Sequence, residues 1–376
     1  MPSKILIVSA AFYPENSPRS FRATELAREF ARQGHEVSVM TTDRGATLEE
    51  FCVKHNIKLK CVPALQFKEI PVLAGFKGYL LRLIRRLLLM FFEYPEVELF
   101  WKIRKGLQYE RAYDLLISVA VPYPVHWAVA SVQQKQHRIT RCWVADCGDP
   151  YMGNESDSFK RLFYFGWIEK WMFSRVDCIT IPIESARVAY YKEFRPKISV
   201  IPQGVNFAEL RADCRPYYKN SIPTFAYAGT FIPGYRDPRK LLEYLISLPN
   251  DFLFYIYTSM PSWLQEVEEK SRGRIISKSY LPRNDLIGQL SQMDFLVNIE
   301  NSTSTQVPSK LIDYFLVERP VLSLSGNMIS EDTIKQFLNG NYSEQLQFDN
   351  YEKFKIQNVS RQFLSLVDNH EDLENK

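Results

Sequence analysis

The sequence predicts an α/β protein built from two Rossmann-like, doubly wound parallel-sheet domains, and three observations predict it. Its 376 residues exceed what one open-sheet domain of about 150 residues uses. Short apolar runs of strand length alternate with longer segments whose apolar residues recur three and four apart. That alternation loosens once, in a polar stretch after Gly204, and then starts again. Two such domains would face each other across a central cleft.

In order, Ile5 to Ala10 reads as a buried parallel strand, followed by a Pro-, Asn- and Ser-rich loop from Tyr13 to Ser20. Ala23, Leu26, Ala27 and Phe30 then fall on one helical face, Gly34 ends that helix, and Val37 to Thr41 forms the second strand. Further strands are expected at 115–119, 142–145, 178–182 and 198–201, with helical segments between them. Residues 1–204 thus form the first domain, 205–221 a linker and 222–350 the second domain. In the latter, strands are expected at 225–228, 252–257, 275–276, 295–299 and 321–324, with helices opening near Asp237, Asp285 and Pro308. Residues 351–376 carry Phe354, Phe363, Leu364 and Val367 at roughly helical spacing and read as a terminal helix.

Composition narrows the function. An apolar share of 46% with 24% charged residues is that of a folded chain, and a net charge of +4 lacks the concentrated basic face of a nucleic-acid binder. The six cysteines form no CxxC pair and have no histidine at zinc spacing, so they read as buried free thiols. Lys4 and the apolar run behind it mimic a secretion signal, but Tyr13 and Pro14 interrupt it too early.

Two constellations in the second domain point to a nucleotide ligand. The strand 295–299, a polar loop and a helix from Pro308 set Ser309, Lys310 and Asp313 near a helix start, where main-chain N–H groups attract phosphate. Lys310 adds a charge, and Asp313 on the same face suits ribose hydroxyls; an ordinary Lys–Asp surface pair gives the same pattern. The strand 225–228 runs into Gly229, Thr230 and Gly234, where a ligand can approach the backbone, and then Arg236, whose guanidinium suits a diphosphate. The alternative is that Asp237 caps a helix and Arg236 is merely solvated.

These residues resemble the family-4 (group 1) glycosyltransferases, which have the GT-B fold of two Rossmann-like domains. PSKLIDYFLVERPVLS, from 308, is similar to their donor-site signature; KILIVSAAFYP, LAREFARQGHEVSVMTT, DCGDPY, ISVIPQGV, FAYAGTF and SQMDFLVNI resemble successive pieces of the family across residues 4–325. The resemblance implies that Lys310 and Arg236 bind the donor diphosphate, Asp313 the ribose, and Gly229 with Thr230 the approaching nucleotide sugar. It also implies acceptor contacts from the first loop at Ser17 and Arg19, a role for His126 beside the reacting sugar, and transfer with retention and no metal or other cofactor. Asp149, like Asp146, follows the strand 142–145 and is a candidate base or acceptor contact, although Asp149 before Pro150 is also a turn-forming pair. His126 fits a core or surface histidine equally well. Two departures stand out: Thr305 and Asp313 occupy the positions where many members carry two glutamates, and Asn16, Ser17 and Pro18 replace a glycine pair.

LLRLIRRLLLMFF, residues 80–92, gathers Arg82, Arg85 and Arg86 on one arc of an otherwise apolar helix. Its 13 positions span about 20 Å, short of a bilayer core, so it is expected to lie in the interface or else to pack as a core helix with arginines reaching solvent. The expected partners are therefore a nucleotide sugar, a glycan or lipid-linked acceptor and a membrane surface met peripherally from the cytoplasmic side, with no nucleic acid. A nicotinamide-dependent dehydrogenase is excluded by the absence of GxGxxG after the first strand. A nucleotide-sugar epimerase and a catalytically silent partner in a glycan-assembly complex remain as alternatives.

Overall fold

The computed structural model describes residues 2–42, 45–71, 75–133, 138–154, 160–211, 214–232, 236–259, 261–300, 310–324, 329–347 and 351–374. They divide into two compact units, one of residues 1–205 with 353–376 and one of residues 206–352. Both are parallel α/β units.

The first unit runs β1 (Lys4–Ser9), α1 (Pro18–Arg32), β2 (Glu36–Thr42), α2 (Ala46–Lys54), β3 (Lys58–Val62), α3 (Gly75–Phe92), α4 (Glu98–Leu107), β4 (Tyr113–Ala120), α5 (Pro124–Val132), β5 (Thr140–Cys147), α6 (Phe163–Arg175), β6 (Cys178–Ile181) and β7 (Ile198–Val200). The second runs α7 (Phe207–Arg211), β8 (Thr224–Ala228), α8 (Arg239–Ser247), β9 (Leu253–Tyr257), α9 (Trp263–Lys270), β10 (Ile275–Lys278), α10 (Arg283–Leu290), β11 (Phe295–Ile299), α11 (Lys310–Leu316), β12 (Val321–Leu324) and α12 (Glu331–Leu338). The chain then returns to the first unit as α13 (Ile356–Glu374).

The seven-stranded sheet has the order β3-β2-β1-β4-β5-β6-β7 and the five-stranded one β10-β9-β8-β11-β12. Every strand pairing within them is parallel. Strand direction of progression therefore reverses beside β1 and β4 in one sheet, and beside β8 and β11 in the other. Loops leaving the carboxyl ends of such strands diverge to opposite faces and open a crevice, the usual ligand position of open α/β sheets.

Helices on both faces explain why the strands read as continuous apolar runs rather than alternating ones. In β1, Ile5 and Ile7 face a core shared with Leu26 and Phe30 of α1 and Phe363 of α13, whereas Leu6 and Val8 face Ile103 of α4 and Val129 of α5. In the smaller sheet Phe225, Phe254 and Phe295 stack across three neighbouring strands, with centroids 4.6 and 4.4 Å apart. Cys61 departs from the expected burial: it is exposed, on β3, the edge strand of the sheet.

α3 is longer than residues 80–92 alone suggest, and it is no core helix. Of its described side chains none is buried, and only Gly78 along it is. Among the described residues no helix is long and apolar enough to cross a membrane.

Candidate functional site

In the second unit β8 is buried along its whole length and ends in Gly229, whose φ of 145° suits a residue without Cβ. Gly229 N–H donates to the Tyr257 carbonyl at 3.0 Å, and the Thr230 hydroxyl lies 2.6 Å from that of Tyr280. Ile232 and Arg236 exchange two main-chain hydrogen bonds, 3.1 and 2.8 Å, so the loop folds back on itself; Gly234 lies outside the described residues. The Arg236 guanidinium rests against the Tyr227 hydroxyl, while its Nε is buried with no hydrogen-bond partner among the described residues. Asp237 accepts the first N–H of α8, that of Arg239, at 3.1 Å and also binds its guanidinium, so its side chain holds the helix start as the capping alternative expects.

Tyr314, in the middle of PSKLIDYFLVERPVLS, holds the crevice at the strand-order reversal. Its fully buried hydroxyl accepts the Ala228 N–H at 2.9 Å and donates to the Val297 carbonyl at 3.1 Å. β8 and β11 pair only at Phe225–Phe295 and Ala226–Leu296 before they part, and this hydroxyl satisfies the main-chain groups freed beyond that point. Two further polar atoms are buried and unpartnered among the described residues at the same end of the sheet: Thr258 Oγ1, next to β9, and Asn298 Oδ1 in β11. The Asn298 amide is turned to Ser323 at 2.8 Å, and Ser323 in turn donates to Glu300 at 2.9 Å. Buried polar groups without partners are rare enough that a ligand or water is the expected complement.

Asp313 takes a counter-charge from Arg283. Its Oδ1 accepts from Arg283 Nε at 2.9 Å and Nη2 at 2.6 Å, and the two side chains are 14% and 26% exposed. Burial pushes this carboxyl up from its ordinary value, with Arg283 opposing the shift. The main chain of Lys310 opens the seven-residue α11; its side chain, together with Thr305, Pro308 and Ser309, lies outside the described residues. Arg283 was not legible as a site residue, because its partner stands thirty positions away and no local spacing marks it.

In the first unit Ser17 is the N-cap of α1, accepting from Ser20 N–H at 3.2 Å and donating to Glu15 at 2.7 Å. Its hydroxyl is thus committed to the helix start. Arg19, the second residue of α1, reaches Asp149 at 3.3 Å, with the side chains 20% and 35% exposed. The Arg19 guanidinium lies so close over Gly148 that a Cβ there would fall 1.5 to 1.9 Å from its atoms. The Tyr123 hydroxyl holds the Asp149 carbonyl at 2.9 Å.

Asp146 serves differently from Asp149. It is buried, bound by Arg22 Nε at 3.0 Å and Nη2 at 2.9 Å and by the Thr180 hydroxyl at 2.7 Å. Arg22 also donates to the carbonyls of Ile201 and Pro202. His126 departs from the expected cleft-facing position. It has no exposed surface; its Nδ1 is 2.8 Å from Ser118 Oγ and its Nε2 3.6 Å from Cys147 Sγ. The reason is that α5 starts two residues earlier, at Pro124, and turns this position onto the sheet. Burial pushes its pKa down to about 3, so the imidazole is neutral and belongs to the core.

The loops after β5 and β8 and the first turns of α1 and α11 thus carry Asp149, Arg236, Arg19 and Asp313 at the carboxyl ends of two parallel sheets. The sequence model of Glycosyltransferase Family 4 matches residues 21–209, half of the chain.

The chain belongs to glycosyltransferase family 4.

No curated protein sequence matches it. Among solved structures it is similar to the lipopolysaccharide outer core galactosyltransferase WaaB in its apo form, at 12% identity and a TM-score of 0.59 over 97% of this chain and 99% of that one. It is also similar to a glycosyltransferase from Rickettsia africae ESF-5, at 13% identity and a TM-score of 0.56 over 98% and 94%. A third is Anabaena HepE in complex with UDP and glucose, at 10% identity and a TM-score of 0.54 over the whole of both chains. At such identities the likeness is one of fold, and the fold of this family-4 glycosyltransferase is GT-B. The family model, being one of glycosyltransferases, does not favour the epimerase alternative.

Proposed function

We propose that this glycosyltransferase takes a nucleoside-diphosphate sugar as donor and a lipid-linked glycan as acceptor, at the inner face of a membrane and as a step in building a surface polysaccharide. The observation that supports the donor half is the carboxyl end of the smaller sheet, where Gly229 and Thr230 follow β8 and two polar atoms, Thr258 Oγ1 and Asn298 Oδ1, are buried without a partner among the described residues. Arg236 and Lys310 would hold the diphosphate, and their charge gains value as the bond from the anomeric carbon to the β-phosphate oxygen breaks and its electrons pass to the diphosphate. Both Arg283 bonds fall on Asp313 Oδ1, and Oδ2 is the atom we assign to a ribose hydroxyl. The pair Arg19 and Asp149 is assigned to the acceptor, and transfer is assigned as retaining and metal-independent. HepE was crystallised with UDP and glucose, which supports a nucleotide sugar as the donor class here.

The acceptor half rests on α3. Its Tyr79, Leu80, Leu83, Ile84, Leu87 and Phe92 are between 38% and 61% exposed, and Arg82, Arg85 and Arg86 interrupt them. Such a surface suits an anionic bilayer and places the enzyme where a lipid-linked acceptor resides.

The test is a thermal-shift comparison against UDP, GDP, dTDP, ADP and NAD, with the product's anomeric configuration and its tolerance of EDTA read once a donor is found. A rise with one nucleoside diphosphate that Arg236→Ala and Lys310→Ala abolish is expected. No rise with any of them, with anionic vesicles also present, would sink the donor assignment and favour the silent-partner alternative.

A further inference from the structure

α6 has two faces. Phe165, Met172 and Phe173 are buried against the seven-stranded sheet, whereas Phe163 and Trp167, four positions apart and so on one side of the helix, are 70% and 68% exposed. Their rings meet edge to face at 5.2 Å. An aromatic pair left in water forgoes the largest burial contribution a side chain can make, and such rings concentrate where one side is apolar and the other wet.

The pair stands beside the carboxyl end of α3 through a built junction. The Tyr164 hydroxyl donates to the Phe91 carbonyl. Arg161 Nε donates to Glu93 at 2.6 Å, the Tyr151 hydroxyl to the same carboxylate oxygen at 2.9 Å, and the Arg161 guanidinium lies 4.1 Å from the Tyr151 ring centroid. Glu93 is buried, 3% exposed, so this tie is sheltered from solvent. The start of α6 and the end of α3 are therefore held together. α3 itself carries Lys77, Arg82, Arg85 and Arg86 and no acidic residue over a length of about 27 Å, a charge pattern complementary to anionic headgroups rather than to a protein face of mixed charge.

We propose that the first turn of α6 is the second half of the membrane-docking surface: Phe163 and Trp167 enter the acyl-chain boundary of an anionic bilayer while the α3 arginines meet its phosphates. This rests on the reading of α3 as a membrane-docking helix. It divides the labour, with α3 supplying a salt-sensitive attraction and the aromatic pair a salt-resistant anchor.

The test is co-sedimentation of the full chain with vesicles of phosphatidylglycerol and phosphatidylcholine in equal parts, at low and high salt. The double variant Phe163→Ser, Trp167→Ser should lose roughly tenfold or more in partitioning at high salt, whereas Arg82→Glu, Arg85→Glu, Arg86→Glu should lose binding chiefly at low salt. Wild-type partitioning by the aromatic variant while the arginine variant is released would overturn this inference and leave the α3 reading intact. A wild type that ignores the vesicles would overturn both; one that instead dimerises through these aromatics by sedimentation velocity would make the surface a self-interface. Should the double variant misfold, bromine-labelled acyl chains give an independent answer: they should quench wild-type tryptophan emission more than that of Trp167→Phe, and equal quenching would overturn the proposal.

Discussion

Arg22→Ala tests whether the acceptor-side loop is anchored as described. The Arg22 and Asp146 side chains are 3% and 4% exposed, and Arg22 is bound twice to the carboxylate and also to the carbonyls of Ile201 and Pro202. Removing it leaves Asp146 buried with the Thr180 hydroxyl alone. Breaking one partner of a buried pair costs about 3–5 kcal/mol, or roughly 6–20 °C in midpoint at about 2–4 °C per kcal/mol for a unit of this size. Urea and thermal unfolding followed by circular dichroism give the number. Arg22→Met with Asp146→Leu should be far less damaging than the single change, because no charge is then stranded. Burial alone would raise the Asp146 carboxyl, but Arg22 and Thr180 outweigh it and hold it below the ordinary carboxylate range. A depressed carboxyl contributes stability that is present above its unfolded value and lost as pH falls through the folded one. The deficit of Arg22→Ala should therefore narrow below about pH 4. A loss under about 1 kcal/mol, or a double variant as unstable as the single, would refute the argument.

Gly148→Ala should push the Arg19 guanidinium away and break its pairing with Asp149, at a stability cost under about 1 kcal/mol for so exposed a pair. If Arg19 binds an anionic acceptor group, kcat/KM falls about 10- to 100-fold; an unchanged value in a steady-state transfer assay removes Arg19 from the acceptor assignment. Thr258→Val removes an unpartnered buried hydroxyl and should raise stability by about 1 kcal/mol while weakening nucleotide binding by calorimetry. Unchanged affinity would separate this hydroxyl from the donor. Burial pushes the Glu169 carboxyl up to about 7, against a hydrogen bond from Tyr191. The unfolded chain ionises near pH 4.5 while the folded one stays protonated, so stability drains away between pH 4.5 and 7. Glu169→Gln should abolish that loss, gaining about 3 kcal/mol at pH 8; identical pH profiles in urea titrations would show the carboxyl to be solvated.

What could be read from the chain follows from how far apart the cooperating residues are. β1 and β11 declared themselves because both faces of a parallel strand are covered, which leaves an unbroken apolar run. Gly229 and Asp313 were legible because they lie within a few residues of a strand or helix end. Arg283 with Asp313 and Arg22 with Asp146 were not, since those pairs join positions 30 and 124 apart through the tertiary fold alone. For His126 the sequence leaves core and site equally open, because one turn of α5 decides whether that position faces the loop or the sheet. The amphipathic segment was visible, but its exposure along the full length of α3 and its alliance with Phe163 and Trp167 were not. Aromatic residues on α6 look alike in sequence whether they face the core or water.

The return of α13 to the first unit has a consequence for how the protein is made. Ile356, Val359 and Phe363 complete the face of the core that Ile5, Ile7 and Phe30 begin, and they leave the ribosome only after residues 206–352. The second unit carries its own core, built around Phe225, Phe254 and Phe295, and has everything it needs to close as soon as it is synthesised. The first unit must wait, one face of its sheet covered by α1 and α2 but incomplete, until α13 arrives. Order of synthesis and order of completion are thereby reversed, and a chaperone acting on the nascent chain would find its target in the domain that was translated first.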